Sequence, residues 1–319
     1  MAIERVTVVG AGEWGTALAQ AAAMAGRDVL LVGRDAAVLD DINRNHRNSR
    51  HLGAQILSPS IMASTLFFSS DLTILAVPAQ STRAALAGLA DLAGPVILTA
   101  KGLEDGTLKR QSEILAEMAP GTVPYVLSGP SFAVDVAAGR PTAVTLAGDD
   151  AAATEDVAAA LAGPSFRPYA AGDRIGVELA GALKNVYALA AGAVDGARLG
   201  ASARAALIAR AFAELSRILP AFGGKAETLT GLAGLGDLTL SCTSTQSRNY
   251  RHGVALGRGE AMPADLAEGV FTAPVAQRLA QQAGVDAPLI DAVNLLLGGT
   301  VSIETIVAGL MSRPLKRED

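Results

Sequence analysis

The feature that most constrains the fold is a glycine-rich turn near the start of the chain. Residues 10–15 read Gly-Ala-Gly-Glu-Trp-Gly, directly after the apolar run 5–9 and before an Ala/Leu-rich stretch. In such a turn the first glycine allows the tight bend, the second lets a pyrophosphate approach the backbone, and the third lets helix and strand pack closely. Gly10, Gly12 and Gly15 hold those positions. The turn predicts a strand–turn–helix unit that binds a dinucleotide.

Short β-branched runs alternate with helical stretches through the first half of the chain. This alternation predicts βαβ units and a mainly parallel sheet. Strands are predicted at 5–9, 29–32, 72–77, 96–99, 125–127 and 143–146, with helices at 14–25, 81–89, 108–118 and 151–160.

After about residue 174 the pattern becomes helical throughout, with helices predicted at 177–194, 202–219, 272–282, 288–297 and 302–310. Pro274 is expected in the first turn of its helix, where a missing N–H costs least. We therefore predict an α/β Rossmann-type N-terminal domain with a mainly parallel sheet, residues 1–176, followed by an all-α C-terminal domain, residues 177–319.

Charge and composition exclude several classes of function. A net charge of −5 argues against a nucleic-acid surface. With one cysteine, Cys242, and three histidines outside metal-ligand spacing, we predict neither a disulfide nor a metal site. The N-terminal segment does not resemble a signal or transit peptide, and no uncharged apolar run reaches about 18 residues. We expect a cytoplasmic protein without an integral membrane segment.

The end of the second predicted strand bears on cofactor choice. Residues 32–35 read Val-Gly-Arg-Asp. An arginine there accommodates the 2′-phosphate of NADP(H), whereas an acidic residue accepts a hydrogen bond from the 2′-hydroxyl of NAD(H). Because Arg34 comes first, NADP(H) is favoured, and Asp35 leaves NAD(H) open.

Polar residues follow several buried strands and interrupt one apolar helix. Lys101 stands where a strand ends, at the edge of the sheet where ligands of doubly wound folds bind. Lys184 lies in a helix that has almost no polar face, so we expect it to border a cavity with a lowered pKa. Residues 234–249 are rich in hydroxyl and amide groups and end in Arg248 and Asn249, which suit a phosphate. Cys242 is interpreted as a packing residue.

Seven segments together resemble the bacterial type of NAD(P)-dependent glycerol-3-phosphate dehydrogenase. They are GAGEWGTALA, AVPAQ, KGLE, SGPSFAVDV, GVELAGALKNVYALAAGAVDG, GLAGLGDLTLSCTSTQSRN and AEGVFTA, in this order from residue 10 to about 273. The resemblance implies interconversion of dihydroxyacetone phosphate and sn-glycerol 3-phosphate by hydride transfer, supplying glycerol 3-phosphate for glycerophospholipid synthesis. The implied partner is a small phosphorylated triose, and a homodimer is left open.

The resemblance also implies roles for individual residues. The catalytic residues would be Lys184, Lys101 and Asp237. The substrate would contact Lys101, Gly129, Ser131, Lys184, Asn185, Asp237, Ser247, Arg248 and Asn249. The cofactor would contact Gly10, Gly12, Glu13, Trp14, Gly15, Arg34, His51, Lys101, Ala133, Arg248, Leu266 and Glu268.

Two alternatives to this interpretation remain. A dehydrogenase for a hydroxy acid or sugar acid would also join a Rossmann domain to a helical one, but it would recognise a carboxylate. A nucleotide-sensing regulator without turnover would tolerate loss of Lys184. Fold alone does not separate these functions.

Overall fold

The computed structural model describes residues 3–314. Within this range the chain forms one eight-stranded sheet in the order β3-β2-β1-β4-β5-β6-β7-β8. The strands are β1 (Arg5–Val9), β2 (Asp28–Val32), β3 (Ile61–Ser64), β4 (Leu72–Leu75), β5 (Gly94–Leu98), β6 (Thr122–Ser128), β7 (Thr142–Ala147) and β8 (Phe166–Ala171).

Helices cover both faces of the sheet and make up the second half of the described chain. They are α1 (Glu13–Met24), α2 (Ala36–Asn45), α3 (Ser49–Leu52), α4 (Thr82–Ala87), α5 (Gln111–Met118), α6 (Ala133–Ala137), α7 (Ala151–Leu161), α8 (Arg174–Gly196), α9 (Ala201–Ala221), α10 (Asp237–Thr243), α11 (Arg248–Gly257), α12 (Glu268–Gln282), α13 (Pro288–Leu297) and α14 (Ile303–Met311).

The sheet is doubly wound, and its topology determines where a ligand can bind. Neighbouring strands are parallel except β6 and β7, which pair antiparallel. The strand order reverses beside β1, whose neighbours are β2 and β4. Loops that leave these strands in opposite directions open a crevice at their carboxyl ends, which is where ligands of such sheets bind.

The central strands are buried on both faces, as their apolar sequences predict. One core packs sheet residues such as Val8 and Ile74 against α1, represented by Leu18. The other packs Leu75 and Leu98 against α5 and α4. Because both faces are covered, the sheet can present polar groups to a ligand only at its strand ends.

Helix α8 forms the centre of the helical part, and α11 packs against it unusually closely. Gly192 and Gly196 of α8 face Gly253 and Gly257 of α11. A Cβ added at any of these four glycines would lie 2.0–2.2 Å from a backbone carbonyl oxygen of the opposite helix. The two backbones therefore touch directly, which fixes how the start of α11 sits relative to α8.

By length and composition α8 is the one described helix that could cross a membrane, but its apolar stretch is completely buried within the protein. A core helix of this kind satisfies the same criteria without meeting lipid. Its apolar surface is used instead for packing against α9, α10, α11, α12 and α13.

The expected fold class is confirmed, while some boundaries differ from the sequence prediction. Pro274 lies inside α12 and not in its first turn, because that helix begins at Glu268. The elements β3, β8, α2, α3, α6, α10 and α11 were not predicted. Helix α8 begins at Arg174, three residues before the predicted start at residue 177. The division of the chain into two domains at residue 176 stays a prediction.

A buried carboxylate in the helical core should make stability depend on pH. Glu214 of α9 accepts hydrogen bonds from the Tyr187 hydroxyl at 3.2 Å and from the backbone N–H groups of Leu289 and Ile290 at 3.0 and 3.1 Å. Burial raises the pKa of Glu214 to about 7, although these hydrogen bonds oppose the shift. Glu214 therefore binds its proton more tightly in the folded protein than in the unfolded chain.

We expect the free energy of unfolding to fall as pH rises from about 4.5 to 7, with Glu214 contributing up to roughly 3 kcal/mol of that loss. Glu214→Gln should flatten this part of the profile, measured by urea unfolding at several pH values. Exposed Glu155→Gln is the control and should leave the slope unchanged. An identical slope in Glu214→Gln and the unaltered protein would contradict the prediction.

Candidate active site

The glycine turn between β1 and α1 has the geometry of a dinucleotide-binding turn. Gly10 has φ +115°, and a Cβ there would lie 2.4 Å from the carbonyl oxygen of Ala76. A Cβ at Gly15 would lie 1.8 Å from the carbonyl oxygen of Gly10. A Cβ at Gly12, by contrast, would meet no atom of the described chain within 4 Å. The protein's own packing explains the first and third glycines, and the space beside the second fits a pyrophosphate at the start of α1.

In doubly wound sheets of this kind the ribose of a dinucleotide binds beyond the end of the second strand, which here is β2. Arg34 is exposed there, and Asp35 caps α2 by accepting hydrogen bonds from two backbone N–H groups. Asn48 is fully buried, and its amide donates to the carbonyl oxygen of Ala11 at 3.1 Å and to Thr16 Oγ1 at 2.8 Å. The segment around α3 is thereby attached to the glycine turn.

The two lysines predicted from the sequence meet at one buried carboxylate. Lys184 Nζ lies 2.5 Å from Asp237 Oδ1, and Lys101 Nζ lies 2.6 Å from Asp237 Oδ2. Lys184 also donates to Ser241 Oγ at 2.6 Å, and Lys101 donates to the carbonyl oxygen of Gly129 at 3.2 Å. Lys101 follows β5, whereas Lys184 belongs to α8, so this cluster joins the sheet to the helical part.

Burial and charge shift the titration of this cluster. Desolvation lowers the pKa of Lys184 to about 8; Asp237 opposes the shift and the charge of Lys101 adds to it. Burial alone would raise the pKa of Asp237, but the two lysines outweigh it and hold that pKa below its usual value. Burial raises the pKa of the Cys242 thiol to about 12, which fits the interpretation of Cys242 as a packing residue. The cluster thus contains a carboxylate and a lysine able to exchange a proton near neutral pH.

Local backbone features place Asp237 between the lysines. A π-helical turn, Leu232–Gly236, comes directly before α10, and Asp237 is the first residue of that helix. Turns of this type are frequent at functional sites. Gly234 is required in it, because a Cβ there would lie 2.3 Å from the backbone of Leu229. The negative charge of Asp237 also suits a helix N-terminus.

The start of α11 offers an anion-binding surface. Ser247 caps the helix, its hydroxyl accepting from the Tyr250 N–H at 3.3 Å. Asn249 Oδ1 accepts from the Gly269 N–H at 2.8 Å, which ties α11 to α12. Arg248 is exposed, and no hydrogen bond or ion pair engages its guanidinium within residues 3–314. A free guanidinium beside a helix N-terminus suits a phosphate.

A second group of polar atoms lies next to Lys101. Glu268 Oε1 accepts from the Ala79 N–H at 3.1 Å, whereas Glu268 Oε2 and Thr272 Oγ1 are buried without a hydrogen-bond partner in the described chain. Both unpartnered atoms would lie 3.3 Å from a Cβ at Gly102. Buried polar atoms normally have partners, so the pair fits a donor group on a ligand, such as a nicotinamide carboxamide. Burial raises the pKa of Glu268, which the Ala79 N–H and the charge of Arg248 oppose.

The structure brings most of the expected substrate residues together. Asn185 donates from its side chain to the Lys101 carbonyl oxygen at 2.9 Å, and Ser131 Oγ donates to the Gly129 carbonyl oxygen at 3.0 Å. Together with Lys184 and Asp237 they surround one region where β5, β6, α8 and α10 meet.

The other expected cofactor residues make no hydrogen bond to the lysine cluster in the part of the chain that the structure describes. Glu13 and Trp14 begin α1, Ala133 begins α6, His51 is exposed on α3, and Leu266 precedes α12. No group of three or more His, Cys, Asp or Glu side chains among the described residues could hold a metal ion.

Four further polar residues near these groups were not predicted from the sequence: Ser241, Asn48, Thr272 and Arg50. Ser241 follows Asp237 by four residues, which would have placed both on one face of α10 had that helix been predicted. Asn48 and Arg50 gave no local signal because their partners lie at least 15 residues away in the sequence, and Thr272 gave none because its hydroxyl has no hydrogen-bond partner among the described residues.

The glycine turn, the doubly wound sheet and the lysine–aspartate cluster define a nicotinamide-dinucleotide-dependent oxidoreductase. Comparison with known sequences agrees. The family models described as NAD-dependent glycerol-3-phosphate dehydrogenase N-terminus and C-terminus match residues 5–154 and 173–308. The chain belongs to the NAD-dependent glycerol-3-phosphate dehydrogenase family.

Individual relatives cover nearly the whole chain. A glycerol-3-phosphate dehydrogenase [NAD(P)+] of Brucella canis is 49% identical over 323 residues, covering 99% of both chains. The crystal structure of the Coxiella burnetii glycerol-3-phosphate dehydrogenase is 35% identical, with a TM-score of 0.89 and coverage of 98% of this chain and 99% of that one.

A probable 2-dehydropantoate 2-reductase of Bacillus subtilis is 17% identical, with a TM-score of 0.55 over 95% of this chain and 99% of that one. At this identity it shares only the fold. It represents the hydroxy-acid dehydrogenases considered above, and the family match separates this chain from them.

Removing the charge of Asp237 should destabilise the fold, because it would leave two ammonium groups facing each other without compensation. For Asp237→Asn we expect a loss of about 3–5 kcal/mol, the range for breaking a buried ion pair. Ser241→Ala, which removes one neutral hydrogen-bond partner, should cost only about 1 kcal/mol. Urea unfolding measures both. Equal losses in the two variants would mean that the carboxylate charge does not hold the cluster together.

Proposed function

We propose that this protein interconverts dihydroxyacetone phosphate and sn-glycerol 3-phosphate with NAD(P)H. The observation that carries the proposal is the buried Lys184–Asp237–Lys101 cluster, in a chain that also presents a free Arg248 at the start of a helix. The family match supports the same substrate. When bound, the nicotinamide cofactor supplies or accepts the hydride at C2.

Lys184 is proposed as the acid that protonates the oxygen at C2 during reduction and as the base in the reverse direction. An acid–base group works best when its pKa is near the working pH, and the pKa of Lys184 is lowered to about 8. Asp237 and Ser241 hold the ammonium group in place at 2.5 and 2.6 Å. A fixed donor avoids the cost of reorganising the site as negative charge develops on oxygen.

Lys101 is proposed to bind and polarise the substrate beside Lys184. Its ammonium group is anchored by Asp237 and the Gly129 carbonyl oxygen, and its side chain keeps 18% exposure toward the crevice. The Asn185 side chain donates a hydrogen bond to the Lys101 carbonyl oxygen, which connects the two lysine-bearing segments. The substrate would lie among Lys101, Lys184 and Ser131.

The phosphate is proposed to bind at the start of α11. Arg248 offers a forked donor whose guanidinium makes no hydrogen bond or ion pair within residues 3–314, although its charge acts on Glu268, and the helix N-terminus adds backbone N–H groups. Asn249 supports this end through its bond to Gly269. Binding energy from a dianionic phosphate can position a carbonyl several bonds away.

The cofactor is NADP(H) or NAD(H), and we propose a preference for NADP(H) through Arg34. We further propose cytoplasmic location, a role in supplying glycerol 3-phosphate for glycerophospholipid synthesis, and assembly as a homodimer, which size-exclusion chromatography with light scattering would test.

Initial rates with dihydroxyacetone phosphate and NADPH, repeated with NADH, test the proposed reaction. Turnover of ketopantoate or 6-phosphogluconate in place of dihydroxyacetone phosphate would overturn it in favour of a hydroxy-acid dehydrogenase. Binding of NADPH without turnover of any of these substrates would favour a nucleotide sensor.

Loss of Lys184 should affect the chemical step more than cofactor binding. For Lys184→Ala and Lys184→Arg we expect kcat to fall by about 10²–10⁴-fold with little change in NADPH affinity, since a guanidinium does not release its proton near neutral pH. In the unaltered protein kcat for reduction should decline as pH rises through about 8, where Lys184 loses its proton, and kcat for oxidation should rise over the same range. Both variants should lack this transition.

Lys109→Ala, at an exposed lysine paired with Glu117, is the matched control and should keep the full profile. Full activity in Lys184→Arg would mean that the residue acts only as a fixed charge.

Arg248→Lys keeps the positive charge but removes the paired N–H donors of the guanidinium. The KM for dihydroxyacetone phosphate should therefore rise by about 10-fold or more, while NADPH affinity changes less. Steady-state kinetics and NADPH titration measure the two effects. Arg258→Lys, at the opposite end of α11, should change neither. An unchanged substrate KM in Arg248→Lys would remove the start of α11 as the phosphate site.

A further inference from the structure

Where β2 ends, the carboxylate of Asp35 forms an ion pair with Arg50. Asp35 stands after β2, about 20 residues beyond the glycine turn, where the acidic residue of an NAD-binding domain accepts from the ribose 2′-hydroxyl. Its Oδ1 accepts from the N–H groups of Ala37 and Val38 at 3.0 and 3.4 Å. Its Oδ2 lies 2.5 Å from a guanidinium nitrogen of Arg50. Both carboxylate oxygens therefore have partners before any ribose arrives.

Arg50 is held in this position by the chain around it. It lies on α3, and Asn48, two residues earlier, is bound to the glycine turn and to α1. The Ser49 N–H donates to Asp41 Oδ2 at 2.9 Å, which attaches the same segment to α2. The backbone that carries Arg50 is thus fixed relative to the turn that would hold the pyrophosphate.

An open cavity of about 320 Å³ lies beside this pair, lined by Asp35, Ala37, Val38, Asp41, Ser49 and Arg50. Arg34, the residue before Asp35, is exposed and has no hydrogen-bond or ion-pair partner within residues 3–314. Asp35 is therefore paired with Arg50 and directly follows the exposed Arg34 in the sequence, at the place where NADP(H) and NAD(H) differ.

We propose that Arg50 is a specificity-determining residue that acts through Asp35. By pairing with the carboxylate, Arg50 removes the charge that would repel a 2′-phosphate, and its remaining N–H groups add to those of Arg34 as donors. The same pairing weakens Asp35 as an acceptor for the 2′-hydroxyl. This inference rests on the dinucleotide site of the proposed function, but it does not depend on the identity of the substrate.

The two arginines then have different effects on the two cofactors. Loss of Arg34 removes a donor to the phosphate and leaves NAD(H) binding unchanged. Loss of Arg50 removes a donor to the phosphate and also frees Asp35 Oδ2, so NADP(H) should bind more weakly and NAD(H) more tightly. The opposite sign for NAD(H) distinguishes a specificity residue from an ordinary cation.

The experiment measures direct binding to the full chain by titration calorimetry. The probes are adenosine 2′,5′-bisphosphate and 5′-AMP, which differ only at the 2′ position, followed by NADPH and NADH. The variants are Arg50→Ala, Arg34→Ala, Asp35→Asn and the double variant Arg50→Ala/Asp35→Asn. Asparagine is also a good N-cap, so Asp35→Asn preserves the start of α2. The control is Arg44→Ala, which removes an exposed arginine paired with Asp40 on the same helix at 2.7 Å.

For Arg50→Ala we expect the bisphosphate to bind about 10- to 100-fold more weakly, the range of one charge-assisted hydrogen bond, and 5′-AMP to bind several-fold more tightly. The double variant should lose the gain for 5′-AMP. Arg34→Ala should weaken only the bisphosphate, and Arg44→Ala should change neither probe.

Equal losses for both probes in Arg50→Ala would overturn the proposal, because Arg50 would then serve only to hold α3. A gain for 5′-AMP that persists in the double variant would overturn the role of Asp35. Absence of turnover of dihydroxyacetone phosphate together with the expected binding shifts would overturn the proposed function and leave this inference standing.

Discussion

The site depends on one buried carboxylate held between two ammonium groups. Taking three charged groups out of water costs several kcal/mol for each ion unless they are paired closely. Asp237 supplies the pairing for both lysines, at 2.5 and 2.6 Å. The cluster carries one net positive charge, and Arg248 adds another at the start of α11. A dianionic phosphate carries two negative charges. Its binding would neutralise the two positive charges of the cluster and Arg248.

The same carboxylate connects the two architectures of the chain. Lys101 follows the end of strand β5. Lys184 lies in helix α8, whose other residues are mostly apolar. Asp237 reaches both because a π-helical turn sets the start of α10. Neither half of the chain contains a complete site, which explains why the polar residues along the sequence are separated by long apolar segments.

Sequence patterns predicted the architecture well, because burial on both faces and helical periodicity are local properties. Six of the eight strands and the glycine turn were identified in this way, and Lys101 and Lys184, which the structure brings to one carboxylate, were singled out by their apolar surroundings. Helices α10 and α11 were missed because their hydroxyl and amide residues favour turns on local propensity, and packing against α8 overrides that preference. Asn48 and Arg50 could not be recognised, since their significance lies in contacts with the glycine turn and with Asp35 that the sequence pattern does not contain.

The glycine contacts between α8 and α11 limit how such a site can diverge. Because backbone meets backbone there, the spacing from Lys184 on one helix to the start of the other is set by the polypeptide backbone and not by replaceable side chains. Ordinary core substitutions would leave that spacing unchanged, and any larger residue at the contact would separate the helices. A related protein that accepted a longer or shorter substrate would therefore need different loops or strand ends, because the distance between the two helices is constant.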